Sequence, residues 1–435
     1  MRLVIKYGGT SISTAKDIKA IAKYLNSLSK KNQTIVVCSA MSGTTDDLIE
    51  ISESIKKENK SKGEQLASKI INRHKQLAKQ LIKKAKEIPA KVAKNNEKLN
   101  KYQKEIKEIL IQLPNMISKK TPIGKDESKN KVLRKHGKQT KFTFPIKNHV
   151  ELAEQNNWAD FDISGKVAGS GFYYLKGDLA LLNQALIRFA IDFMNKKKYS
   201  YIEPPLMLND KALYASMDKE AIEESVYTLD EGNTGLIGTA EQPLLAMHTN
   251  QDIIFKDLPK KYFAYSMCFR KEVGSHGINE KGLWRTHQFN KVEQFIFCKP
   301  EESEKLYDEL LDNSEEMLKK LDLPYRVLEI CTGDLADWKY RSADLEVWRP
   351  TIKDYGETGS LSNCTDYQAR KLNIRIVEKD GTRKILHTLN NTALATSRIM
   401  VTILENFQQK DGGVKVPRVL QPYMDGKKKL EANLD

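Results

Sequence analysis

Beyond Pro89 the residues Val92, Leu99, Ile106 and Leu113 recur every seven positions, with Tyr102 and Ile109 between them. A period near 3.5 residues marks a helix that wants another helix along its length, and the two-residue alternation of a strand does not produce it. Lysine and glutamate fill the rest of the stretch from Lys83 to Leu113, and Pro114 ends it. This coiled-coil seam divides the chain. Before it, up to about Leu81, a short apolar strand, a glycine turn and a helix lead to the apolar run Ile35-Val36-Val37-Cys38 and a second small-residue turn. That is the opening of a parallel α/β sheet, too short to close on itself. After it, the polar, basic stretch from Ser118 to Lys141, with the turn Thr121-Pro122-Ile123-Gly124, reads as a linker. From about Phe142 onward strand-like and helix-like segments mix without a βαβ beat, as in an antiparallel α+β domain. No tandem repeat is visible in any of the three.

Charge narrows the partners. Lys and Arg number 72 against 57 Asp and Glu, a net charge of +15 with a pI near 9.2, which favours a polyanion such as nucleic acid. With 40% hydrophobic and 30% charged residues in 435, the chain is too apolar for a disordered protein and too polar for a membrane protein. No apolar run is long enough to span a bilayer. The start, Met1 to Lys6, turns polar after three apolar residues, short of a signal-peptide core, so the cytoplasm is the expected compartment. The cysteines 38, 268, 298, 331 and 364 contain no Cys-x-x-Cys pair and are expected to be reduced and structural. His248, His276 and His287 match no compact ligand spacing and are read as loop or core residues.

The chemistry concentrates downstream. After Tyr265, Ser-Met-Cys-Phe-Arg-Lys-Glu is followed, past a glycine-containing stretch, by Leu283-Trp284-Arg285-Thr286-His287-Gln288-Phe289 and Lys291-Val292-Glu293. Two strand-like runs thus flank a basic loop. Arg270 offers a planar fork for phosphate, and Glu272, two residues on in a strand, shares its face and can accept from an adenine amino group. Upstream, Tyr201-Ile202-Glu203-Pro204-Pro205-Leu206 closes a long amphipathic helix. Downstream, Asn390-Asn391-Thr392-Ala393-Leu394-Ala395-Thr396-Ser397-Arg398 leads into an apolar helix, Ile399 to Phe407.

In this order the three segments resemble the signature motifs of class II aminoacyl-tRNA synthetases. Motif one would end at Pro205, motif two would carry Arg270 and Glu272, and motif three would carry Arg398. Gly238-Thr239-Ala240-Glu241-Gln242-Pro243, Cys331-Thr332-Gly333-Asp334-Leu335, Asp344-Leu345-Glu346-Val347-Trp348, Ser362-Asn363-Cys364-Thr365-Asp366-Tyr367-Gln368-Ala369-Arg370 and the ending Val416-Pro417-Arg418-Val419-Leu420-Gln421-Pro422-Tyr423-Met424 are similar to seryl-tRNA synthetases. The resemblance runs from about Val92 to Met424. It implies an antiparallel class II catalytic domain over 142–435, preceded by one tRNA-binding arm helix over 82–117 and the linker 118–141. It also implies the family's activity: ATP-dependent activation of L-serine to seryl-adenylate, then transfer to the 3′ end of tRNA(Ser).

That activation joins a carboxylate to a phosphate and expels pyrophosphate, so alignment and charge neutralisation dominate over proton transfer. Carried over residue by residue, the resemblance puts Arg270 on the α-phosphate, Arg398 on the γ-phosphate and Glu272 against adenine, with Glu357 and Ser360 as magnesium ligands. It implies that Thr239 and Glu241 hold the serine amino group, that Glu293 holds the hydroxyl and that Thr392 lines the pocket. Lys271 and His276 fall in the loop where the class meets the acceptor end of tRNA. A homodimer through motif one is implied too. Where the family usually has Glu-x-Ser-Ser-Cys-Ser, the chain has Glu357-Thr358-Gly359-Ser360-Leu361-Ser362, and Asn390-Asn391-Thr392 stands where Asn-Gly-Ser is common.

The first eighty or so residues depart from that family, which there has a globular piece and the first of two arm helices. Lys6-Tyr7-Gly8-Gly9-Thr10-Ser11 and the stretch from Val37 to Glu50 instead resemble the start of aspartate kinase, implying Lys6, Gly8 and Gly9 at ATP phosphates and Thr45 near aspartate. The kinase's later binding segments have no counterpart, so 1–81 reads as a truncated α/β segment. Its amphipathic stretch Lys56 to Leu81 is a candidate to pair with the seam helix in place of the lost one. Two rival functions stand beside the ligase: a synthetase-like protein that binds RNA or an adenylate without charging tRNA, and an aspartate kinase.

Overall fold

The computed structural model describes residues 2–29, 33–57, 59–81, 87–217, 219–229, 234–272 and 281–432. The chain divides into two compact units, Met1–Ile111 and Gln112–Asp435.

In the first unit, strands β1 (Arg2–Tyr7) and β2 (Gln33–Cys38) pair in parallel across helix α1 (Ala15–Ser29), as the alternation of small turns and apolar runs predicts. Helix α2 (Thr44–Lys56) and helix α3 (Lys60–Leu81) pack on each other. Their contact is polar at its centre: Lys69 and Arg73 of α3 lie 2.9 and 3.2 Å from the Asp47 carboxylate, and Arg73 donates to the Thr44 hydroxyl. Nearly the whole stretch Lys56 to Leu81 is thus one helix, α3, and the buried Asp47 draws it onto α2. Helix α4 (Glu87–Gln112) does form, and its seam lies open: Val92 is 51% exposed and Ile109 62%.

The second unit is built on an eight-stranded sheet. Its strands are β3 (Lys131–His136), β4 (Ser200–Tyr201), β5 (Lys260–Phe269), β6 (Gln288–Cys298), β7 (Tyr325–Glu329), β8 (Arg341–Arg349), β9 (Asp354–Thr365) and β10 (His387–Ala395). They run in the order β3-β7-β8-β9-β10-β6-β5-β4, antiparallel except for the last pair. The mixing of strands and helices without a βαβ beat thus does produce an antiparallel sheet. The stretch 118–141 is more than a linker, because it contributes β3, an edge strand paired with β7.

Helices α6 (Gly177–Lys196), α8 (Ser303–Lys320) and α10 (Thr396–Phe407) share one core with Val292, Ile296, Leu361 and Leu389 of the sheet. Side chains one position along these strands point to the opposite face. There Phe295 and Phe297 join a smaller core with Leu244 of helix α7 (Glu241–Ala246) and Leu372 of helix α9 (Tyr367–Leu372). All five cysteines are free, and four are buried. Among the described residues no helix is long and apolar enough to cross a membrane.

Candidate active site

A cavity of about 510 Å³ opens beside the smaller core, and five neighbouring strands reach it: Asp344 from β8, Glu357 and Ser360 from β9, Asn390 and Thr392 from β10, Lys291 and Glu293 from β6, and Arg270 just past β5. Arg398 enters from the first turn of α10 and Glu241 from the start of α7. Every residue assigned to the site from the sequence therefore lines one cavity. Register explains the convergence. Glu293 is the cross-strand partner of Thr392, and Asp344 that of Ser360.

Glu357 and Ser360 are three apart, a spacing that puts two side chains on opposite faces of a regular strand. Here Leu345 pairs with Gly359 but Glu346 pairs with Glu357, so Thr358 is an extra residue. That bulge shifts the alternation by one and brings the carboxylate and the hydroxyl to the same cavity. Two hard oxygens, with the Asp344 carboxylate facing Ser360, make a donor set that suits magnesium. Burial and the Glu357 charge push the Asp344 carboxyl up to about 7. Burial also opposes ionisation of Glu357, but Arg398, whose guanidinium lies 3.1 Å from its carboxylate, holds it low.

The other end of the cavity is deeply buried. Glu293 is 1% exposed, with its Oε2 2.6 Å from Lys291 Nζ. The two are an ion pair outside hydrogen-bond alignment, and Lys291 also donates a 2.7 Å hydrogen bond to Thr239 Oγ1. With two lone pairs on each carboxylate oxygen and no hydrogen bond to Oε2 among the described residues, Glu293 Oε2 keeps a lone pair unused. Glu241 accepts from the amides of Gln368 (2.5 Å) and Asn390 (3.0 Å). Burial, reinforced by the Glu293 charge, pushes its carboxyl up to about 7. An ammonium placed between these two carboxylates would reverse that shift.

Motif two differs in detail from the sequence expectation. Strand β5 stops at Phe269, and Glu272 sits beyond it in the left-handed region, φ 52°, so it does not share a strand face with Arg270. The two still line the same cavity. Arg270 lies over the Phe289 ring and donates through Nε to the Gly238 carbonyl at 3.0 Å, and among the described residues the rest of its fork is open. Glu272 meets Arg285 at 3.5 Å. His276 lies outside the described residues. His287 donates through Nδ1 to the Arg270 carbonyl, and His248 contacts Gln251 and Tyr262. Among the described residues no cluster of three or more His, Cys, Asp or Glu forms a candidate metal site.

A family description, the tRNA synthetase class II core domain (G, H, P, S and T), matches residues 226–407. A second, the amino acid kinase family, matches residues 1–112. The serine-tRNA ligase of Methanospirillum hungatei is 44% identical over 345 residues, 79% of this chain and 81% of that one. The chain belongs to the serine-tRNA ligase family. In the same family, the seryl-tRNA synthetase of Pyrococcus horikoshii, solved with ATP, superposes with a TM-score of 0.78 at 36% identity, covering 96% of this chain and 94% of that one. The cytoplasmic serine-tRNA ligase of Naegleria fowleri, solved with AMP, gives 0.76 at 33%, covering 91% and 93%.

Sequence reasoning passed over Lys291, Asp344 and Lys339, all of which line the cavity. Lys339 Nζ lies 3.3 Å from Ser342 Oγ and 3.5 Å from Ser360 Oγ. Strand alternation alone could have found Lys291, two residues from Glu293. Asp344 needs the register of β8 against β9, which one dimension does not display.

Proposed function

We infer that this chain activates L-serine with ATP and transfers it to tRNA(Ser), the reaction for which its family is named. The serine carboxylate attacks the α-phosphate of ATP, forming a mixed anhydride and expelling pyrophosphate. The terminal ribose hydroxyl of the tRNA then attacks the carbonyl carbon, and AMP leaves. The observation that carries this reading is the division of one cavity into two ends. One end gathers the cations Arg270, Arg398 and Lys339 around the Glu357 carboxylate. The other buries two carboxylates, Glu241 and Glu293, suited to an ammonium and a hydroxyl.

In this reading Arg270 neutralises the α-phosphate, where charge builds as the new bond forms, and Arg398 holds the γ-phosphate. Glu272 accepts from the adenine amino group. Thr239 and Glu241 hold the serine ammonium, and the unused lone pair of Glu293 takes the hydroxyl, with Thr392 closing the pocket across the strand pair. Alanine leaves that buried carboxylate unpaired, while threonine is resisted by volume. Glu357 and Ser360 are the residues that would hold magnesium, whose chemistry when bound is neutralisation of phosphate charge. A homodimer through the segment ending at Pro205 and a cytoplasmic location complete the reading.

Serine-dependent exchange of labelled pyrophosphate into ATP tests it, run in parallel with alanine, threonine and aspartate. Exchange with serine alone is the expected result, and none with serine from folded protein would overturn it. Aspartate-dependent ADP release, measured alongside, addresses the kinase-like first unit.

A further inference from the structure

A buried ionic cluster lies behind the cavity, in a place the reaction does not use. Glu405 of α10 is fully buried and takes a forked pair of hydrogen bonds from Arg349 at the end of β8, Nε to Oε2 at 3.1 Å and Nη2 to Oε1 at 2.7 Å. His149, the first residue of helix α5 (His149–Gln155), adds a third contact, Nδ1 to Glu405 Oε1 at 3.3 Å. Its other nitrogen, Nε2, accepts the backbone N–H of Leu283 at 3.1 Å. Because Nε2 accepts, the proton sits on Nδ1, and His149 is a neutral bridge between the carboxylate and the backbone. Although burial opposes its charge, the His149 and Arg349 hydrogen bonds hold the Glu405 carboxyl below its ordinary value.

The cluster meets the cavity through Trp284, the residue after Leu283. The Arg349 guanidinium lies over the Trp284 ring at 4.2 Å, and that of Arg398 over the same ring at 5.5 Å. Arg398 also donates to the Trp284 carbonyl at 3.4 Å and the Glu357 carbonyl at 3.0 Å. The packing is tight on both sides. A Cβ at Gly356 would come within 2.4 Å of the Trp284 ring, and one at Gly282 within 2.4 Å of His149 Nε2. Arg398 and Glu405 are seven residues apart on α10, two turns along one face.

We propose that Arg349, Glu405 and His149 are positioning residues for ATP: they fix Trp284, and Trp284 fixes the direction in which Arg398 reaches into the cavity. The assignment rests on Arg398 as a phosphate-binding residue. A buried ion triad is not needed for stability alone, since apolar groups of similar volume commonly replace such pairs without loss. Its fork geometry does supply direction, which a lysine in place of Arg349 would not reproduce.

The test is the double variant Arg349→Met with Glu405→Gln, which removes both charges and keeps an acceptor for His149. In serine-dependent pyrophosphate exchange, the KM for ATP should rise tenfold or more while the KM for serine and the melting midpoint stay near those of the parent. Trp284→Leu, which leaves the ions paired, should give the same ATP-specific loss and serves if the double variant does not fold. Arg398→Ala is run beside them. If Arg398→Ala loses ATP affinity and the folded positioning variants keep the parent KM, the proposal is wrong. If Arg398→Ala itself leaves the KM for ATP unchanged, it is the phosphate-binding assignment of Arg398 that fails.

Discussion

Replacing Glu241 by glutamine should make this protein more stable at alkaline pH while removing serine binding. The Glu241 carboxyl titrates near 7 in the fold, against an ordinary 4.5, because it is buried and faces Glu293. A carboxyl whose folded value is raised binds its proton more tightly in the folded state. Stability is then greatest below pH 4.5 and falls as pH rises from 4.5 through 7. At 1.36 kcal/mol per pH unit, the upward shift amounts to about 3 kcal/mol lost above pH 7.5. Glu241→Gln keeps the oxygen that accepts from Gln368 and Asn390 but carries no charge to desolvate. Melting midpoints of the parent and the variant should coincide near pH 5 and separate by a few degrees near pH 8.5, the variant being higher. The same group makes serine binding to the parent pH-dependent, its dissociation constant rising about tenfold per unit below pH 7. A stability difference that does not change between pH 5 and 8.5, or a serine affinity flat across pH 5.5 to 7, would refute the reasoning.

Four further outcomes follow from the same geometry. Glu293→Ala should remove most of a serine-over-alanine discrimination on the order of 10⁴, read as the ratio of kcat/KM in pyrophosphate exchange; an unchanged ratio would take the hydroxyl away from Glu293. Lys291→Met should cost about 3 to 5 kcal/mol in denaturant unfolding by leaving Glu293 buried and unpaired, and adding Glu293→Gln should restore most of it. A single-variant cost with no restoration would mean that Lys291 acts by packing. Glu357→Gln should weaken Mn²⁺ binding to the ATP complex at least tenfold in a spin-resonance titration, and parent-like binding would move the metal elsewhere. Leu99→Lys with Ile106→Lys should change unfolding free energy by no more than about 0.5 kcal/mol, because both side chains already meet solvent; a larger drop would show a covered seam.

The sequence displayed the site's membership better than its geometry. Arg270 was legible from its chemistry, whereas Glu293, Glu357 and Arg398 were legible through the resemblance of their segments to the family. Glu272 was placed on the wrong footing, since a tetrapeptide does not reveal where a strand stops and a left-handed residue turns the chain. The three-residue spacing of Glu357 and Ser360 made sense only with the bulge at Thr358, and a bulge exists only relative to a partner strand. Helix α4 was legible from its period alone, yet periodicity states what a face would accept and not whether anything covers it. The packing of α3 on α2 depends on Lys69 and Arg73 finding Asp47 more than twenty positions away. Such pairings are decided in three dimensions.

Strand β3 has a consequence in time. Its partner β7 is far along the chain, with His136 matched to Tyr325, about 190 positions later. At synthesis rates of roughly 5 to 20 residues per second, β3 leaves the ribosome roughly 10 to 40 s before the strand it must pair with. For that interval Val132 and Leu133 form a short apolar stretch with both backbone edges open. Lys131, Arg134, Lys135 and His136 surround them, and a cationic strand is a poor template for a second copy of itself. The positive charge thus disfavours self-pairing of this strand during the interval before β7 emerges.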